Sequence, residues 1–266
     1  RACEILGLPD GVFPIAGLQT TTDTGFPAAN QTLAAATGAA LLAALKARVA
    51  TGSTADWVIH LPAGDYGAVD LSDLKLPGKT TLRSANWPAT GAKFRQLTLE
   101  RTQNLYLEFC LFDRSDQARN DTLSVVNMRG ASYCGLSYSE LNLGPNVVSG
   151  VGWLHHVNYG IDVWNDKATN TLPHHLTIHM NYIHGAAGWG VYLGGGQYLT
   201  VSENVFADIS SDDIQLGWVR DSVFRNNWGA RKKYPYYSNK DYDHCDFIQT
   251  FSKTLDTPNN QYVGNV

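Results

Sequence analysis

Apolar positions recur along this chain in short alternating runs separated by Gly and Asn, and the runs themselves repeat. Leu176–Ile183 (LTIHMNYI) and Leu199–Phe206 (LTVSENVF) place apolar residues at matching positions, and each carries Asn at its sixth position. Asn181, Asn204 and Asn227 follow one another at intervals of 23 residues. Further along each unit, Gly190-Val191-Tyr192-Leu193 matches Asp213-Ile214-Gln215-Leu216 at the same interval, and Gly160-Ile161-Asp162-Val163 has the form of the preceding member. Phe247-Ile248-Gln249-Thr250 continues the series 34 residues after Asp213-Ile214-Gln215-Leu216, one unit plus an 11-residue insertion. Runs this short that alternate with period two are strands. A unit of two dozen residues built from strands and turns leaves an apolar face open, so it must stack on copies of itself.

The pattern therefore predicts one coil of a parallel β-helix per unit, with Ile161, Val191, Ile214 and Ile248 in an interior column. The repeated Asn is expected to form a ladder in a turn, each amide bonding its equivalent one coil away. One stretch departs from the period. Asn30–Ala50 contains LAAATGAALLAALKARVA, rich in helix formers, and Gly52 stands just past its end where a helix stops. A helix there would close the open first coil. The expected fold is all-β, a single-stranded right-handed parallel β-helix with an N-terminal capping α-helix. Residues 1–56 form the capping segment and 57–266 the β-helix. Gln261–Val266 reads as the start of another strand. The β-helix is thus expected to be incomplete there, as part of a longer polypeptide or of a homotrimer that covers its end.

Composition narrows the partners. A net charge of −4 and the lack of a basic stripe argue against nucleic acid. No apolar run reaches the ~18 residues of a membrane span. Four cysteines (Cys3, Cys110, Cys134, Cys245) show no paired spacing, which points to buried thiols rather than zinc.

The run LLAALKARVATGSTADWVIHLPAGDY resembles the opening of the pectin-lyase-like superfamily, and NVFADISSDDIQ and HCDFIQ resemble its later repeats. The resemblance spans roughly residues 33–266. It implies a right-handed parallel β-helix and a place among polysaccharide lyases, glycoside hydrolases, epimerases or phage tailspikes. The Asp pair in SSDDIQ resembles that of polygalacturonase-type hydrolases, although its flanks differ.

Side chains of a strand alternate between core and exterior. With the Ile and Val column inside, Asp162, Tyr192, Gln215 and Gln249 form one outward column, and Asp213 is expected to face outward as well. Asp213, Asp246, His244 and Asp212 are the candidate catalytic residues. They suit an acid and base pair at a glycosidic bond, or a Ca²⁺ site that neutralises a uronate and acidifies the adjacent C–H. The insertion, ARKKYPYYSNKDYD, brings Arg231, Lys232, Lys233, Tyr234, Tyr236 and Tyr237 to one loop, as a clamp for an acidic chain. Trp189 and other tryptophans of this half add rings for stacking on sugars. The histidines around His174, His175 and His179 lie on a turn and strand, where His175 and His179 share a face but sit too far apart to chelate one ion, so no metal residue is assigned.

Two functions fit. The first is a polysaccharide-degrading enzyme, a lyase or hydrolase acting on an acidic glycan. The second is a non-catalytic receptor-binding or structural virion protein such as a tailspike or fibre domain. Either places the protein outside the cell, at a cell surface or on a virion.

Overall fold

The computed structural model describes residues 26, 28–85, 87, 91–114, 124–143, 159–185, 189–207, 209, 212–230, 247–250 and 259–266. Every strand pair in it is parallel, as a coil laid on its successor requires. Among the described residues, nine strands form the first sheet, from Gln31–Thr32 and Trp57–Leu61 through Thr177–His179, Thr200–Ser202 and Val223–Arg225 to Gln261–Val263. The other two sheets meet in one long strand, Ala92–Thr98, whose start pairs with Leu111–Asp113 and whose end pairs with Val126–Asn127. From it the second sheet runs through Tyr182–His184 and Val205–Ala207, and the third through Ile161–Val163, Val191–Gln197, Ile214–Arg220 and Ile248–Thr250.

The interior column is as the pattern requires. Ile161, Val191, Ile214 and Ile248 are successive register partners. The first three are fully buried, and Ile248 packs against the same core. The asparagine ladder is also present, and it runs one coil further than the repeat showed. Asn181 Nδ2 donates to Asn204 Oδ1 (3.0 Å), Asn204 Nδ2 to Asn227 Oδ1 (2.9 Å), and Asn227 Nδ2 to Asn265 Oδ1 (2.9 Å). The last step is 38 residues rather than 23, so the final coil is lengthened by more than the insertion before Phe247.

The helix occupies Gly38–Thr51, shorter than the run that suggested it. Thr37 Oγ1 accepts from the Ala40 N–H and starts it, and Gly52, at φ 63°, ends it. Upstream, Gln31–Thr32 pairs with Ile59 and His60 instead of joining the helix. Leu41 and Leu45 are fully buried in the cluster that contains Ile59, Leu61 and Leu82, so the helix covers the first coil. Cys110 and Cys134 are buried free thiols, while Cys3 and Cys245 lie outside the described residues. Among the described residues, no helix is long and apolar enough to cross a membrane.

Candidate functional site

Along the third sheet, Asn127, Asp162, Tyr192, Gln215 and Gln249 are successive register partners. They form one row on the outward side of the strands whose aliphatic residues fill the core. Successive coils are ~4.8 Å apart, so the row extends about 19 Å along the solenoid. A second row stands two residues on. It includes Arg129 beside Asn127 and Trp164 beside Asp162.

The aromatic side chains lean together across these rows. The Trp164 indole lies over Gly194 of the next coil, where a Cβ would stand 1.4 Å from its Cε3. It stacks on Tyr192 with centroids 5.4 Å apart and planes at 12°. Tyr159 meets Tyr192 from the other side at 5.0 Å and stacks on Trp189 at 5.1 Å and 16°. All four rings are half-buried, so each keeps area exposed for a ligand. Trp189 Nε1 donates to Asp212 Oδ2 (3.1 Å), which fixes its ring.

Charge enters beside the rings. Arg129 Nη2 pairs with Asp162 Oδ2 at 3.0 Å; the arginine side chain is 38% exposed and the carboxylate 4%. Burial is the larger influence on Asp162 and raises its pKa above the ordinary carboxyl value, against the opposing pull of Arg129 and Ser124. Tyr159 is pushed up to about 12, first by burial and then by the Asp162 charge. The site therefore offers the Arg129 guanidinium, a carboxyl that holds its proton to higher pH than an ordinary one, and phenols whose own pKa values are raised by burial.

Of the residues picked from the sequence, Asp162, Tyr192, Gln215 and Gln249 share the row, and Trp189 flanks it. Asp213 does not face outward. It is buried, and its Oδ2 lies 2.3 Å from where a Cβ on Gly229 would stand. Alternation fails because Asp213 sits on the corner before its strand. Its column mates Gly160 and Gly190 likewise point at Ile183 and Phe206 of the core. Asp212 is buried too, engaged by Trp189. Asp246, His244, Arg231, Lys232, Lys233, Tyr234, Tyr236 and Tyr237 lie outside the described residues. Among the described residues no three His, Cys, Asp or Glu side chains converge, so Asp212 and Asp213 alone do not make a Ca²⁺ cradle. The histidines do not gather at one point: His174 and His175 meet each other through Nδ1 (2.9 Å), His179 meets Ser202, and His184 meets Glu140.

Sequence reading missed Tyr159 and Arg129. Tyr159 was legible, since it precedes Gly160-Ile161 as Trp189 precedes Gly190-Val191. Arg129 was hidden because the step from Asn127 to its register partner Asp162 is 35 residues rather than 23.

No family model matches the chain, and no curated protein matches it in sequence. Solved structures do resemble it in shape. A pectate lyase from Bacillus sp. N165, in complex with trigalacturonate, superposes with a TM-score of 0.56 at 13% identity, covering 96% of this chain and 87% of that one. An alginate lyase from Paenibacillus sp. str. FPU-7 gives 0.48 at 15% identity, over 89% and 99% of the two chains. A thermostable GH87 α-1,3-glucanase from Streptomyces thermodiastaticus strain HF3-3 gives 0.46 at 15%, over 93% and 42%. Parallel sheets, stacked coils and the first of these likenesses agree: the chain has the right-handed parallel β-helix fold of the pectin-lyase-like proteins.

Proposed function

We propose that the outer face of the third sheet binds an acidic polysaccharide lengthwise and cleaves it, as a lyase or a hydrolase. The observation that carries this reading is the row of half-buried rings, Trp164, Tyr192, Tyr159 and Trp189, standing beside the Arg129–Asp162 pair. Ring faces take the flat faces of sugars. Arg129 offers positive charge to an acid group, and Asp162 is the buried carboxyl suited to moving a proton at the bond that breaks. In this proposal the loop cations Arg231, Lys232 and Lys233 are a second source of positive charge. The pectate lyase of similar shape, in complex with trigalacturonate, supports a glycan ligand.

Incubation with a panel of uronate and capsular polysaccharides tests the reading. Products absorbing in the near ultraviolet identify a lyase, and new reducing ends without that absorbance a hydrolase. Tight binding with no shortening of any chain would favour the receptor-binding alternative. Asp162→Asn is expected to lower turnover at least hundredfold with binding retained, and Arg129→Met to weaken acidic glycans about tenfold or more. Asp213→Asn and Asp246→Asn are the comparison. Turnover lost there, and kept in Asp162→Asn, moves the reacting centre to those coils.

Asp162 also sets a pH dependence of folding. Its proton is held to higher pH in the folded state than in the unfolded chain, where a carboxyl titrates near about 3.9. Between that value and the raised folded one, the folded state binds more protons, so stability falls as pH rises. Asp162→Asn is expected to flatten this slope. Thermal melts across a pH series check it, and a slope unchanged by the substitution would assign the dependence to another group.

A further inference from the structure

Gln215 is a buried amide on the outward row, 7% exposed, and it stands in register between Tyr192 and Gln249. Its Oε1 has no hydrogen-bond partner among the described residues. A buried acceptor left unmatched destabilises the folded state, whereas an aliphatic side chain of similar size at the same place would not. On an interior position such an amide would have no purpose. Here its row is the one that carries Asp162 and the ring of Tyr192, and its register neighbours Tyr192 and Gln249 are half-buried side chains at the surface. The missing partner is a donor.

Resting on the polysaccharide reading above, we propose that Gln215 is a specificity-determining residue which takes a hydroxyl of the sugar lying next to Tyr192. The site then demands a free hydroxyl at that ring and rejects chains esterified there. An O-acetyl group replaces the O–H donor by acceptors, so two acceptors would face one another and Oε1 would stay unmatched. Sites built to bond a substrate hydroxyl discriminate far more strongly against its loss than apolar pockets discriminate between sizes. Charge and hydroxyl are also read at different places. The Arg129 guanidinium, held at Asp162, lies two coil steps from Gln215, ~10 Å along the axis. The acid group and the recognised hydroxyl therefore belong to different sugars of one chain.

The test uses oligouronides of one length, free and chemically O-acetylated, titrated calorimetrically against the wild type and Gln215→Leu. The wild type is expected to prefer the free form by about hundredfold. In Gln215→Leu the preference should fall to about threefold or less, through weaker binding of the free form, and the thermal midpoint should hold or rise. Bulk alone as the cause of discrimination would leave the preference intact in Gln215→Leu and overturn the proposal. So would a wild type that binds both forms alike. A lowered midpoint in Gln215→Leu would show the amide to be satisfied within the fold, which also overturns it. If the wild type binds neither oligouronide, the polysaccharide reading fails, and the midpoint alone then decides whether the amide lacks a partner.

Discussion

Asn204→Ala is expected to destabilise the solenoid by about 2–4 kcal/mol, a large share of what holds a domain together. Four bonds converge on that side chain. Its Oδ1 accepts from the Asn181 N–H and from Asn181 Nδ2, both at 3.0 Å, and its Nδ2 donates to the Ile178 carbonyl and to Asn227 Oδ1, both at 2.9 Å. Truncation does not orphan all four partners. Asn181 Nδ2 still donates to the Leu136 carbonyl, and Asn227 Oδ1 still accepts from the Asn204 N–H. Only the Asn181 N–H is left buried without a partner, at roughly 1–3 kcal/mol, since the Ile178 carbonyl keeps its strand-ladder bond from the Ser202 N–H; the weakened ladder adds to that. A further cost comes from the backbone. The residue before each rung is left-handed, with φ at 51° for Met180, 59° for Glu203, 53° for Asn226 and 62° for Gly264. That conformation costs a non-glycine residue about 1–2 kcal/mol, and the rung that follows holds it in place. Because stacked coils can unfold in parts, the sharper readout is local. Hydrogen exchange at the Asn181 amide should accelerate about hundredfold or more, and urea should unfold the variant at a lower midpoint. A loss below about 1 kcal/mol would mean that the ladder is incidental to stability.

The ladder also shows how far the sequence could be read. Interior columns and asparagine rungs were legible because both repeat at a fixed interval and each needs the same residue type in every coil. The outward row was legible for the same reason, once the core column was known. What failed was the end of a strand. Asp213 was assigned outward by counting alternate residues, but counting is valid only within a strand, and at the corner the chain turns its side chain inward. Arg129 and its pairing with Asp162 were not legible at all. The two residues are 33 positions apart, well off the 23-residue period, so no period connects them, and only the coil register places one against the other. The final coil hid the Asn265 rung in the same way, because its step from Asn227 is 38 residues rather than 23.

Gly194→Ala is expected to dismantle the aromatic row without touching the core. Gly194 has an ordinary backbone conformation, so alanine brings no strain of its own and should even gain slightly from a less flexible unfolded chain. The conflict is steric alone. The new Cβ would stand 1.4 Å from Trp164 Cε3 and 1.8 Å from Cζ3, so the indole must leave its place. Tyr192 then loses the ring stacked on it at 5.4 Å, and the row loses one of its four faces. Displacing a packed ring should destabilise the fold by about 1–3 kcal/mol. Glycan affinity should drop about tenfold to hundredfold if the polysaccharide reading holds, since stacking faces carry much of such binding. A red shift of tryptophan emission reports the displacement directly. The decisive comparison is a double-mutant cycle. In a Trp164→Ala background the indole is already gone, so Gly194→Ala should change stability by less than about 0.5 kcal/mol and affinity hardly at all. Losses that add in the double variant would mean that Gly194 is needed for something other than room for that ring, and the row would have to be explained without it.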